Sequence, residues 1–162
     1  ALGYLLIMAA GVAEDEHEAR TMLENVIARG KALDKFADFV EAQGGRKEQV
    51  YHPQLLAKAA ITETITAPED GYVEALNAMA IGTACMSLGG GRETKESQID
   101  LTAGIRLKKK IGDSVKKGEC LAELYGNDAA KCNDAKELVQ NAFLFSKEPL
   151  DAPETVLKYI TA

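Results

Sequence analysis

An α+β (mixed α/β) fold is predicted by three observations. Apolar residues recur at spacings of three and four through the first 43 residues, the signature of amphipathic helices. From Ile61 the pattern shortens to short β-branched and apolar runs separated by Gly- and Pro-containing turns, and from Asp128 helical spacing returns. Helices, then strands with an inserted helix, then a further helix, is the order of segregated layers.

The elements follow in chain order. Leu2, Leu5, Leu6, Ala9 and Ala10 form one helical stripe, with Gly11 as a stop. Asp15 caps a second helix whose apolar face is Ala19, Met22, Leu23, Val26 and Ile27, and which ends at Gly30. The third helix, Ala32 to Gln43, carries Leu33, Phe36, Ala37, Phe39 and Val40 and closes at Gly44-Gly45. Arg46 to Pro53 is a polar connection. Ile61, Thr62, Thr64, Ile65 and Thr66 suit a strand; Pro68-Glu69-Asp70-Gly71 supplies a turn, and Tyr72-Val73 starts the return strand. Met79 to Leu88, small and apolar all round, predicts a short buried helix. Ile105 to Leu107 and Leu121 to Tyr125 flank a turn at Gly112 to Gly118. Asp128 to Phe145 predicts a helix, and Val156, Leu157, Tyr159 and Ile160 a last edge strand. The chain thus divides into a helical segment 1–47, a linker 48–57 and a second domain 58–162, itself a β-rich core 58–127 with a helix and tail 128–162.

At 162 residues, 46% hydrophobic and 27% charged, the chain has the composition of an ordinary globular domain with a buried core. A net charge of -6 argues against a nucleic-acid partner, which needs clustered cations to displace counterions. The local exception, Arg106, Lys108, Lys109, Lys110, Lys116 and Lys117, reads as a solvated hairpin. No run reaches the ~20 apolar residues of a membrane helix. Leu2 to Val12 is a core helix by that measure, without the initiator Met, basic region and cleavage site of a signal peptide, and a start inside a helix reads as truncation. Cys85, Cys120 and Cys132 form no Cys-x-x-Cys pair, which fits a reducing cytoplasm, and with only His17 and His52 no metal site is expected.

Several motifs combine in order: Arg29-Gly30-Lys31-Ala32-Leu33-Asp34-Lys35-Phe36, Ala42-Gln43-Gly44-Gly45, Leu88-Gly89-Gly90-Gly91-Arg92 with Ile99-Asp100, and Ile111-Gly112-Asp113-Ser114-Val115-Lys116-Lys117-Gly118-Glu119. Together with Gly71-Tyr72-Val73 and Lys95-Glu96-Ser97-Gln98, this series resembles the C-terminal region of the pyrimidine-nucleoside and thymidine phosphorylases. The resemblance implies that 1–47 belongs to a large α/β lobe and 58–162 to a hammerhead-like β-sheet domain. It further implies reversible phosphorolysis of a pyrimidine nucleoside to base and pentose 1-phosphate, inorganic phosphate as co-substrate with no other cofactor, a homodimeric whole enzyme, and a cytoplasmic location without nucleic-acid or membrane partners. In that family the ligands are held by a glycine-rich Lys/Ser loop, a Ser-Gly-Arg-Gly segment and an Arg/Ser/Lys group. The nearest approach here, Gly91-Arg92-Glu93-Thr94, lacks the Ser and stands elsewhere in the order. No catalytic, cofactor-binding or metal-binding residue is therefore expected in this chain. It is expected to act as scaffold, inactive alone, with an exposed apolar helical face at Leu2, Leu5, Leu6 and Ile7, and monomeric unless that face associates.

Individual features carry two readings each. Gly89-Gly90-Gly91 could cradle a phosphate through convergent N–H groups, or permit a close backbone crossing; without a Walker-type pattern the crossing is the better account. Arg92, Lys95, Glu96 and Asp100 either hold this domain against another part of an enzyme or form a solvated loop. Glu63, Glu69, Asp70 and Glu74 could do acid–base work but read as surface carboxylates. Cys85 reads as a small core residue, and His17 and His52 as surface residues without a nucleophile partner. The alternative function is a carrier module of the biotinyl/lipoyl type, since Ala67 to Val73 and the Gly112 to Gly118 turn resemble the halves of such domains. Lys95, in Glu-Thr-Lys-Glu-Ser, lacks their attachment motif.

Overall fold

The computed structural model describes residues 1–92 and 94–160. The chain forms two compact units, Ala1–Leu56 joined by the returning tail from Lys158, and Ala57–Leu157.

The first unit contains α1 (Leu2–Ala9), α2 (Glu16–Ala28), α3 (Lys31–Ala42) and the short α4 (Glu48–Tyr51). Asp15 is extended and its carboxylate accepts from the Glu18 N–H at 2.8 Å, satisfying a donor that the helix start leaves without a partner. Gly30 takes φ +74°, so α2 ends and α3 begins across one residue. The core here is small: Tyr4, Ala13 and Ala19, with Ile7, Met8 and Leu23 against it, and the Arg20 guanidinium 4.5 Å from the Tyr4 ring centroid. The apolar face stays open, with Leu2 78% and Phe39 59% exposed and Leu6 and Phe36 similar. The Arg46–Pro53 connection is more ordered than its polarity predicts. It holds α4 and a 3₁₀ turn at Pro53–Leu55, because Lys47 Nζ reaches Asp38 at 2.5 Å and the Tyr51 hydroxyl donates to Asp34 at 2.9 Å, fastening the segment to α3.

The second unit contains β1 (Ile61–Thr66), β2 (Gly71–Leu76), α5 (Ala78–Cys85), β3 (Gly104–Leu107), β4 (Ser114–Val115), β5 (Cys120–Gly126), α6 (Ala129–Ala142) and β6 (Phe143–Ser146). They build two antiparallel three-stranded sheets, ordered β1-β5-β3 and β4-β2-β6. The register runs Ile61↔Gly126 to Thr66↔Cys120 between β1 and β5, and Gly104↔Tyr125 to Leu107↔Ala122 between β3 and β5.

Four expectations need correction. Tyr72-Val73 does not return beside β1. Ala67 N–H donates to the Glu119 carbonyl and Gly118 N–H to the Ala67 carbonyl, while Val73 exchanges the same pair of bonds with Asp113 and Gly112. The long hairpin between β3 and β5 therefore takes β1 on one limb and β2 on its tip, and the chain changes sheets at the Pro68–Gly71 turn. The helix predicted to run to Phe145 stops at Ala142, since Phe143-Leu144-Phe145 finds ladder partners on β2 (Leu76↔Phe143, Tyr72↔Ser146). That strand occupies the edge that Val156 to Ile160 was expected to fill; the described residues after Ser146 form no regular element. Finally, α5 is not buried all round: Ala84 faces the core while Met79 is 80% exposed.

Helix α6 places Cys132, Ala135, Val139 and Ala142 at spacings of three and four on one stripe. That stripe meets Ile65 of β1 and Leu121, Ala122 and Leu124 of β5, with Val73, Leu88, Val115 and Phe143 completing one core. Gly126 brings strand and helix together; a Cβ there would lie 2.7 Å from the Cys132 sulfur. No helix among the described residues is long and apolar enough to cross a membrane.

Candidate functional site

The glycine run follows α5. Gly89 stands at φ +103°, which turns the chain out of the helix. Gly90 passes so near its neighbours that a Cβ would sit 2.9 Å from the Cys85 sulfur and 3.2 Å from the Ala103 carbonyl; at Gly91 it would sit 3.3 Å from the Met86 side chain. The concavity is thus occupied by the protein's own atoms, and these glycines serve a close crossing.

Beside them lies a polar knot. The Asp100 N–H donates to the Gly89 carbonyl at 2.9 Å. The Asp100 carboxylate accepts from the Thr102 N–H (2.9 Å), the Thr102 hydroxyl (2.7 Å) and the Asn127 amide (2.6 Å), while Asn127 Oδ1 accepts from the Ala60 N–H at 2.7 Å. One carboxylate so ties the glycine turn, the approach to β3, the end of β5 and the entry to β1. The Thr102 hydroxyl, then the Thr102 N–H and the Asn127 amide, hold its carboxyl below the ordinary range. Asp100 was visible in the sequence as one of a charged group; Thr102 and Asn127 were not, since a polar residue next to a helix cap (Asp128) resembles any other turn residue. Arg92, Lys95 and Glu96 lie exposed along the same loop, where Thr94 and Ser97 bond each other across a turn. Lys95 is not at a hairpin apex.

Two of the six hairpin cations, Lys108 and Lys109, are paired with carboxylates. Lys108 pairs with Glu123 at 3.1 Å and Lys109 with Glu119 at 2.7 Å, and the Lys116 and Lys110 N–H groups donate to Glu119 and Asp113. Lys109, then the Lys116 N–H, hold the Glu119 carboxyl low; the Tyr125 hydroxyl, then Lys108, do the same for Glu123. The carboxylates near the β1–β2 turn also have separate partners: Glu63 with Lys136 at 3.1 Å, Glu69 with Lys147, and Asp70 with the Lys117 N–H at 2.7 Å; Glu74 is exposed on β2.

Cys85 is half-buried behind Gly90, and Cys132 is buried on α6, where burial pushes its thiol up and away from the reactive thiolate. His17 is exposed on α2 and His52 precedes the 3₁₀ turn, also exposed. A cleft of about 610 Å³ lies in the second unit between the end of β2, α5, β3 and the extended segment near Pro153.

The residues matched by known proteins are those that build the second unit. Residues 72–146, from β2 through β6, match the family described as pyrimidine nucleoside phosphorylase C-terminal domain. The chain is 42% identical over 160 residues to the pyrimidine-nucleoside phosphorylase of Geobacillus stearothermophilus, covering 99% of this chain and 37% of that protein. It is 48% identical over 126 residues to the one of Bacillus subtilis (strain 168), and 44% identical over 126 residues to the one of Staphylococcus aureus (strain USA300); each match covers 78% of this chain and 29% of the relative. The two-sheet unit is the C-terminal domain of a nucleoside phosphorylase. Over this stretch the chain belongs to the pyrimidine-nucleoside phosphorylase family, and it spans 29–37% of the length of these curated relatives.

Proposed function

We propose that this chain is the C-terminal portion of a pyrimidine-nucleoside phosphorylase, a pentosyltransferase of pyrimidine salvage. In that reaction a phosphate oxygen bonds to the anomeric carbon of the sugar, the bond from that carbon to the base breaks with its electron pair leaving on the base, and a pentose 1-phosphate results. The catalyst must surround phosphate with donors, support positive charge developing on the sugar, and supply a proton to the departing base. This chain contributes no group to those tasks. Lys108 and Lys109 of its cationic hairpin are paired with Glu123 and Glu119, its glycine turn is filled by Cys85 and Ala103, and its role is to shape and stiffen the lobe that brings the reactants together. Inorganic phosphate is the co-substrate and no further cofactor takes part; the whole enzyme is a cytoplasmic homodimer acting on nucleosides.

The observation that carries this reading is the 42% identity over 160 residues, which embraces both units and not only the sheet domain. The carrier reading lacks such support, and Lys95 sits in a loop turn where a carrier domain needs a hairpin tip. The test is a chimera in which these residues replace the matching third of the Geobacillus stearothermophilus enzyme. The chimera is expected to cleave uridine in a phosphate-dependent manner, with the chain alone silent. Phosphorolysis by the isolated chain, or a folded chimera without activity, would refute the scaffold role.

A further inference from the structure

We propose that the extended segment Asp151–Thr155 is a displaceable strap over an apolar cleft, and that the cleft takes a small neutral aromatic molecule carrying a hydrogen-bond donor. The walls are Leu76 at the end of β2, Ile81 on α5, Leu107 on β3 and Ile111 in the following turn, all half-buried and three of them packed on the central core from its edge. Ala152, Pro153, Glu154 and Thr155 form the opposite side. The volume of this open cleft, about 610 Å³, lies in the ~300–1,000 Å³ range of small-molecule sites.

Two features make the strap movable. Among the described residues, no backbone–backbone hydrogen bond reaches residues 149–160, and 151–155 are exposed along their length. Its one tight seat is Gly112, at φ +93°, where a Cβ would lie 2.9 Å from the Ala152 nitrogen; glycine there lets the strap backbone touch down. A segment held by few buried contacts and no ladder opens at low free energy. The rim decides the ligand class. Lys110, Asp113 and Glu154 all line the cleft, so the lining has no excess of positive charge to attract an anion, while the two carboxylates offer acceptors to a donor on an apolar ring.

The test is an amide NMR titration of the full chain with indole. Millimolar indole is expected to shift the amides of Ile81, Leu107 and Ile111 together with those of Ala152, Glu154 and Thr155, and the strap amides are expected to exchange within about tenfold of unstructured rates. Ala152→Trp, on an exposed position, should place its own ring in the cleft and abolish the indole shifts; Ile81→Asp should weaken binding at least fivefold. Shifts located elsewhere, indole binding unchanged in Ala152→Trp, or strap amides as protected as those of β5 would each overturn the proposal.

Discussion

Gly90 shows how one missing methyl decides a local structure. The backbone there must pass between the Cys85 sulfur and the Ala103 carbonyl, and any side chain would enter both. Gly90→Ala is expected to cost about 1–3 kcal/mol by overpacking, read as a lowered denaturation midpoint in urea with an unchanged slope. Asp100 acts at the same scale through charge. Its carboxyl is depressed below its unfolded value by Thr102 and Asn127, so the stability it contributes is present above the unfolded value of ~3.9 and is lost as pH falls through the folded one. The wild-type chain should therefore exceed Asp100→Asn in stability at pH 7, with the difference shrinking below pH ~4. A difference that stays constant from pH 7 to pH 3 would show that the carboxylate's charge is not what holds the knot. The glycine triplet was legible in the sequence as an unusual run, but its occupant was not: only the fold brings Ala103 to Gly90 and Asn127 to Asp100.

Among elements, the helices were the most legible. Asp15 and Gly30 bound α2 as cap chemistry requires. Strands β1, β2, β3 and β5 lie where the sequence places strands, while β6 and the pairing of the strands were not legible. Pro68 to Gly71 has the composition of a hairpin turn, yet β1 bonds to β5 because the Gly112–Gly118 loop offers two limbs and a tip as competing partners. The end of α6 was misplaced by three residues for the same reason: Phe143 to Phe145 continues a helical period in sequence, and β2 supplies a ladder that a helix cannot use. Asp128 accepts from the Ala130 and Lys131 N–H groups at 2.8 and 3.1 Å, so Asp128→Ala should cost about 1 kcal/mol, seen in thermal melting. Leu124→Ala, at a site with no exposure at the centre of β5, should cost about 2–5 kcal/mol. A smaller loss at Leu124 than at Asp128 would place the core elsewhere.

At the scale of the molecule the two units differ in how much they bury. The sheet unit has one continuous core spanning both sheets and α6; the helical unit buries Tyr4, Ala13 and Ala19 and leaves Leu2, Leu6, Phe36 and Phe39 in solvent. Hydrogen exchange of the intact chain should accordingly find the slowest amides in β5 and α6 and faster exchange throughout α1 and α3. Equal protection in α3 and β5 would mean that the exposed apolar face is covered in solution, by association or otherwise.

Local chemistry fixed what the sequence by itself determined: helix positions through period and caps, strand positions through β-branched runs, the acidic balance that disfavours polyanions, and the ordered motifs that mark the family. These depend on residues within a few positions of one another, so they survive without knowledge of the fold. Tertiary structure alone decided which strands pair, that the chain changes sheets at Gly71, that Lys108 and Lys109 of the hairpin pair with Glu123 and Glu119, and that a cleft lies under Pro153. Each of those outcomes is a competition among partners distant in sequence, won by whichever satisfies the most backbone groups while burying the most apolar surface.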